Sequence, residues 1–292
     1  MTKKDAAAAH AGVAKAVTGG VISSYTESFM IKHIAGNYDN PNSHVLGYYN
    51  GARGELPTNG FKFSKVFIDW LKAANDPRLK ILSVVRTAVG NEIGNEDDNT
   101  AIQKGLPNGT NPVGFTGIAT YSQLRSTFAA ADVPNIFVSH GQTLLLLAEA
   151  RERGWITTGT AEQYFRDGVL SSINQLKLYN APAALFNDAA NATYAATTLT
   201  FPATGTARMQ AINEQYYISS FLDGYEPHAN WRRSGYPALT AINFAGNYTG
   251  GVIPRRFQYP ASESGLNGTN LNAAITKQGA NNWVTRVWWD SN

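Results

Sequence analysis

Cysteine is absent from this 292-residue chain. Its absence excludes disulfides, thiolate metal sites and a cysteine nucleophile, and leaves no acceptor for a cysteine-linked lipid. Charge is scarce as well. Only 15% of the residues are charged and the net charge is +3, with no long block of one sign, so the basic footprint that a phosphate backbone demands is missing. Nucleic acid is therefore not an expected partner. Long apolar runs are lacking too, since none approaches the ~20 residues of a membrane-crossing helix. Met1-Thr2-Lys3-Lys4-Asp5 leads into an alanine-rich segment instead of the apolar core of a signal peptide. The histidines, His10, His33, His44, His140 and His228, form no i, i+4 pair and no His-Glu-x-x-His frame. No Gly-x-Ser-x-Gly elbow, phosphate-binding loop or dinucleotide fingerprint occurs. Neither a metal nor a cofactor is expected, and no carboxylate pair stands out, because Asp69, Glu149 and Glu214 sit in ordinary helical settings.

What is present is a large apolar fraction, 43% of residues, enough to bury a substantial core. Residues 3–17 are rich in helix formers and stop at Gly19-Gly20, with Thr2 and Asp5 as a candidate capping box. Residues 21–60 read as turns, short strands and loops. Phe63 to Ala74 places Val66, Phe67, Trp70 and Leu71 on one helical face that ends before Asp76-Pro77. Residues 87–120 hold many glycines and few large apolar side chains, which marks them as the candidate binding loop.

Ser139 to Arg153 is expected to be a buried helix, apolar all round at Leu144 to Leu147, with Ala148 and Ala150 permitting close approach of a neighbour. Gly154 stops it. Thr160-Ala161-Glu162-Gln163 offers a capping box to a second helix whose face is Ala161, Tyr164, Phe165, Gly168, Val169, Ser172, Ile173 and Leu176. Two helices in this relation have the form of one tetratricopeptide-like repeat, over 139–178. Residues 206–222 predict a further helix with Met209, Ile212, Tyr216 and Phe221 near one face, and a short one is expected near 270–277.

Two arginine pairs stand among aromatics. Tyr225-Glu226-Pro227-His228-Ala229-Asn230-Trp231-Arg232-Arg233-Ser234-Gly235-Tyr236-Pro237 and Ile253-Pro254-Arg255-Arg256-Phe257-Gln258-Tyr259-Pro260 read as rigid loops. The guanidinium forks could bind an anion, or could pair with Asp223, Glu226 and Glu263 to hold the chain together; the structural role is favoured. Trp283, Trp288 and Trp289 are either a sugar-stacking platform or packing, with packing favoured. Asn95-Glu96-Asp97-Asp98-Asn99 offers oxygen ligands, but Thr100 and Leu106 break an EF-hand frame, so a solvated acidic loop is expected. The ligand-binding candidates are Tyr121, Tyr48, Tyr49, Trp155, Asn95, Asp97 and Asn99, chosen because they lie in or beside loops.

The ordered segments Phe221-Leu222-Asp223-Gly224-Tyr225-Glu226, residues 231–239, residues 253–263 with Asn267 and Asn270, and Val287-Trp288-Trp289-Asp290 resemble the C-terminal motifs of the SusD/RagB-like outer-membrane nutrient-binding lipoproteins, in their SusD-like subfamily. Asn75-Asp76-Pro77-Arg78-Leu79, the Leu144 to Ala150 run containing Glu149, Gly154-Trp155 and then Ala161, Tyr164 and Gly168 extend the resemblance upstream. The family's glutamate ahead of the leucine run is replaced by His140-Gly141-Gln142. The resemblance implies a mainly α fold of tetratricopeptide-like helical repeats with long loops and few short strands. It assigns structural roles to Asp76, Arg78, Glu149, Glu226, Trp231, Arg232, Arg233, Tyr236, Arg255, Arg256, Tyr259, Trp288 and Trp289.

It further implies a non-enzymatic cell-surface protein of an outer membrane that captures an oligosaccharide, or in some relatives a peptide, and delivers it to a SusC-like TonB-dependent transporter. Membrane association would come only through a lipid anchor that this sequence lacks. The chain is accordingly expected to be a single SusD-like domain over 1–292 without its N-terminal part, with the family's C-terminal motifs in 206–292. A glycoside hydrolase and a helical-repeat interaction scaffold are the alternatives.

Overall fold

The computed structural model describes residues 3–34, 62–86, 95–110, 117–130 and 132–290. Within it the chain divides into two compact units, residues 21–223 and a second made of residues 1–20 with 224–292. The fold is mainly α, with a few short strands.

The larger unit starts with a 3-10 turn, Tyr25–Glu27, and strand β1, Phe29–Ile31. Helix α2, Lys65–Ala73, begins at Ser64, whose Oγ accepts from the Phe67 N–H at 3.3 Å. Its buried residues are Phe67, Ile68 and Leu71, whereas Val66 is 48% exposed; the expected face was rotated, because Ile68 and not Val66 meets the core. Helix α3, Arg78–Leu82, follows Pro77 and runs straight into β2, Ser83–Arg86. Strands β3, Glu96–Asp97, and β4, Gln123–Leu124, flank β2 in an antiparallel three-stranded sheet. Strand β5, Asn135–Val138, pairs antiparallel with β1.

Helix α4, His140–Glu152, begins with a complete capping box: Ser139 Oγ accepts from Gln142 N–H at 3.0 Å, and Gln142 Oε1 accepts from Ser139 N–H at 2.7 Å. Gln142 thus firmly sets the start of the helix where the family's glutamate is missing, and its Nε2 also donates to Ser220 Oγ at 2.9 Å. Helix α4 is not apolar all round in its surroundings, since Leu145 is fully buried while Leu146 is 41% exposed. Helix α5, Ala161–Gln175, takes only half of its expected box. Thr160 Oγ1 accepts from Gln163 N–H, but the Gln163 side chain turns to Asp167. The buried residues of α5 include Ala161, Phe165, Gly168, Val169, Ser172 and Ile173, so the predicted face holds. A Cβ on Gly168 would lie 2.8 Å from Leu145 Cγ, and that close approach is why glycine stands there.

Residues 188–223 complete this unit. Helix α6, Asp188–Thr193, passes into a π turn, Tyr194–Thr198, and helix α7, Gly205–Ser219, packs Ile212, Tyr216 and Ile218 into the same core as α4 and α5. Through that core runs a buried ion pair. Arg78 Nε and Nη2 donate to the two oxygens of Asp76 at 2.9 and 2.5 Å. The same guanidinium donates to Ser172 Oγ on α5 at 3.1 Å and to Gln215 Oε1 on α7 at 2.6 Å, and the Tyr194 hydroxyl donates to Asp76 Oδ2 at 3.0 Å. Burial opposes the Arg78 charge, yet the adjacent Asp76 carboxylate carries its pKa above the ordinary value. Burial, reinforced by Asp76, pushes the Tyr194 phenol well above its usual range.

In the smaller unit α1, Ala6–Gly19, is capped by Asp5, whose Oδ1 accepts from Ala8 N–H at 2.8 Å. Asp5 itself is the cap, and Thr2 lies outside the described residues. Helix α8, Glu226–Ser234, replaces the first of the two expected loops. Pro227 sits in its first turn, Glu226 lies at its positive end, Arg232 and Arg233 at its negative end, and Gly235 closes it at φ 81° with its N–H on Trp231 O. The Tyr236-Pro237 bond is cis. Loops then lead to α9, Ser262–Leu266, and α10, Gly268–Gln278.

Removing Arg78 should leave Asp76 charged and buried without its partner. Arg78→Ala is expected to lose about 3–5 kcal/mol in urea unfolding, and the double replacement Asp76→Leu/Arg78→Met to recover much of it. A double variant as unstable as the single one would show that the packing of the guanidinium, not its charge, is what matters.

Candidate functional site

The three-stranded sheet of the larger unit gathers most of the ligand-binding candidates, which the sequence scatters over 95–121. Tyr121 follows a 3-10 turn, Ile118–Thr120, and immediately precedes Ser122 and β4. Its ring is half-buried, with Lys104 Nζ 4.6 Å from the centroid. Beside it Gln103 is fully buried. Gln103 Oε1 accepts from the hydroxyls of Ser83 and Ser122 at 2.7 and 2.6 Å, and its Nε2 donates to the Asp97 carbonyl at 3.0 Å. One buried amide therefore holds the Tyr121 segment and the Asp97 segment at a fixed spacing.

Asp97 Oδ1 accepts from Asn99 N–H at 2.8 Å, and Asn99 Oδ1 accepts from Ala101 N–H at 3.0 Å, so both side chains brace their own turn. Asn99 is exposed and Asn95 half-buried. The acidic run is not the solvated loop that the sequence predicts. The Glu96 side chain is fully buried, 3.1 Å from Arg86 Nη2 and 3.5 Å from Arg125 Nη1, and accepts from Ser126 N–H at 2.7 Å. The described parts of 87–120 are thus structured by an ion cluster whose members are too far apart in sequence to be seen as partners. Among the described residues no group of acidic or histidine side chains could hold a metal ion. Lys62 lies at the same sheet, with its Nζ donating to Gln123 Oε1 at 2.6 Å, and burial together with nearby Arg86 lowers its pKa to about 8.

Trp155 is elsewhere, in the connection from α4 to α5, with the Arg153 guanidinium 5.3 Å from its ring. Tyr48 and Tyr49 lie outside the described residues. Glu149 is buried, 2.9 Å from Arg153 Nε.

The motif residues of the smaller unit converge on one carboxylate. Asp290 is fully buried and accepts from Arg255 Nε and Nη2 at 2.5 and 2.7 Å, with Arg286 Nη1 at 3.1 Å and Lys3 Nζ at 3.4 Å. The sequence offers Asp223, Glu226 and Glu263 as partners for the arginines; for Arg255 the partner is instead Asp290, and Glu263 accepts from Asn267. Arg255 lies 4.8 Å from the Trp231 ring, Arg232 4.5 Å from Trp289 and Arg256 4.7 Å from Tyr259. Arg232 Nη1 donates to Arg255 O at 2.7 Å, and burial lowers its pKa. Arg233 donates to Asn230 Oδ1 from Nε and Nη2, while Ser234 Oγ accepts from Tyr236 N–H at 3.0 Å and donates to the Asn230 carbonyl at 2.8 Å. Trp288 is 64% exposed, its ring beneath Lys4.

The family model described as "Starch-binding associating with outer membrane" matches residues 1–260. The chain belongs to the SusD-like family. No curated protein matches it. Among solved structures, a chitin-binding protein is 28% identical over 100% of this chain and 61% of its own, with a TM-score of 0.80. A chitin-binding SusD homolog from Flavobacterium johnsoniae is 22% identical over 100% of this chain and 60% of its own, at 0.73. A SusD homolog from Bacteroides fragilis is 20% identical over 99% and 64%, at 0.76. The SusD-like chain therefore spans less than two thirds of the length of these relatives, and its fold is the tetratricopeptide-like helical one they share.

Burial alone would raise the pKa of Asp290, but the Arg255 hydrogen bonds and the charges of Arg255, Arg286 and Lys3 bring it below its ordinary value. A carboxylate depressed in the folded state contributes stability that is complete above the ~3.9 of a free aspartate and is lost as pH falls through the folded value. Acid titration followed by tryptophan fluorescence should show this unit loosening below the usual carboxylate range. Asp290→Asn should be weaker already at pH 7 and flatter in acid; an unchanged acid profile would place the titrating group elsewhere.

Proposed function

We propose that this chain binds neutral oligosaccharides at the surface of an outer membrane and passes them to a SusC-like TonB-dependent transporter. The observation that carries the reading is the 28% identity to a chitin-binding protein along the whole chain, supported by a family description that names starch and the outer membrane. No bond is made or broken in this reading. Chemically the Tyr121 sheet suits the task, because it offers an aromatic face, the amides of Asn95 and Asn99, and Lys104 as a donor. A pyranose stacked on an aromatic ring buries apolar CH groups while its hydroxyls meet amide and ammonium partners. A shallow surface of this kind gives modest affinity, and closure against a transporter would add burial that one partner cannot supply. Among the described residues no helix is long and apolar enough to cross a membrane.

Trp155, under Arg153 at another place in the fold, is retained as a contact for a longer glycan. The roles of Tyr48 and Tyr49 remain part of the same proposal. Replacing Tyr121 with Ala should weaken glycan binding about tenfold, or about 1.4 kcal/mol, without lowering the melting midpoint. Calorimetric titration with chito-oligosaccharides and malto-oligosaccharides checks it. Equal affinities would remove Tyr121 from the site, and release of reducing ends by the purified protein would replace the binding reading with a hydrolytic one.

A further inference from the structure

The larger unit also contains a hollow lined by none of the residues of the Tyr121 sheet. The Tyr25–Glu27 turn lies against α4 and α5, and beside it opens a cavity of about 440 Å3 whose walls include Tyr25, His140, Leu144, Asp167, Ser171 and Asn174. That volume lies in the range of small-molecule sites. Several of its polar groups have unspent hydrogen-bonding capacity. Asn174 Oδ1 is buried and has no hydrogen-bond partner, a state that is unfavourable unless a donor reaches it. Asp167 takes one hydrogen bond, from Gln163 Nε2 at 2.8 Å, and the residue is exposed, so further lone pairs remain open to a ligand. His140 Nδ1 lies 2.9 Å from Ser171 Oγ. Burial lowers the imidazole pKa against the pull of Asp167 and Glu27, so at pH 7 the ring is neutral and Nε2 can serve a hydroxyl.

The chemistry of the walls selects the ligand. Among the described residues that line the hollow there is no lysine or arginine, so an anion would meet the Asp167 carboxylate without compensation. Tyr25 and Leu144 supply apolar surface next to the polar groups, the combination that a ring with an apolar face and equatorial hydroxyls requires. We propose that this hollow is a second carbohydrate subsite, seating one neutral pyranose that donates hydroxyl protons to Asn174 Oδ1 and Asp167 and lays a ring face against Tyr25. The subsite rests on the glycan-binding reading given above, yet its failure is distinguishable from the failure of that reading.

Calorimetric titration of chito-oligosaccharides and of N-acetylglucosamine into the wild type, Asp167→Ala, Asn174→Leu and Tyr121→Ala separates the two. Asp167 is exposed, so its replacement leaves the fold intact even if Asn174→Leu disturbs the core. Asp167→Ala is expected to lower affinity about tenfold, with the effect added to that of Tyr121→Ala in the double variant. Loss of binding in Asp167→Ala with none in Tyr121→Ala would also support the subsite, while moving the glycan site away from the sheet. Wild-type affinity in both Asp167→Ala and Asn174→Leu, with binding lost in Tyr121→Ala, would discard the subsite and leave the glycan reading standing. A wild-type protein that binds neither sugar would overturn the subsite, and the glycan reading falls with it only if malto-oligosaccharides fail to bind as well.

Discussion

The buried guanidinium of Arg78 directs the core of the larger unit. Arg78 cannot be left in the core without an anion, and Asp76 cannot be left without a cation, so the short segment carrying both must sit where its remaining hydrogen-bond demands are met. Ser172 on α5, Gln215 on α7 and the Tyr194 hydroxyl meet them. Hydrophobic contacts among Phe165, Ile173, Ile212 and their neighbours supply the bulk of the driving force, but apolar packing is non-directional. The Asp76–Arg78 pair adds direction, since three separate segments must arrive in register before the charges are satisfied.

The smaller unit solves a different problem. Among its described residues only Asn230, Pro237 and Asp290 are buried. Its cohesion comes from arginines lying over tryptophan and tyrosine rings and from carbonyls that accept from guanidinium and lysine. Cation–π contacts and charge-assisted hydrogen bonds of this sort are individually modest and act as a set around Asp290. Such a unit is inherently more sensitive to pH and salt than one built on leucine and isoleucine.

Much of the fold was legible from local pattern. Helix α2 showed through its apolar period, and α4 through its leucines and the glycine that follows it, whereas the Ser64 cap and the Ser139 to Gln142 box emerged only in the structure. Helix α8 was missed because Glu-Pro-His-Ala-Asn-Trp-Arg-Arg carries no apolar period; the legible signals were a proline in the first turn, an acid before a pair of bases, and a glycine after them. The burial of Glu96 was not legible, since Arg86 and Arg125 become its partners only when β2, β3 and the segment after β4 meet. Asp290 was seen as part of a motif but not as the acceptor for Arg255, because that pairing spans 35 residues of loop and helix. For the candidate site, Tyr121 was chosen from its loop context, whereas the buried Gln103 that ties its segment to Asp97 had no sequence signal at all.

The tie between Lys3 and Asp290 has a consequence for the order of events during synthesis. These residues are 287 positions apart, so the smaller unit cannot close until residue 290 has been made. Helix α1 buries none of its residues, and a lone helix of this length is marginal in water, so its alanine-rich stretch spends that interval unsupported. Residues 21–223, in contrast, are complete well before the last motif leaves the ribosome and can fold as a body of their own. The joining of Lys3 to Asp290 is then a large loop closure made chiefly by charges, and a chain interrupted before residue 290 would carry the 21–223 unit beside a smaller unit that lacks its central carboxylate.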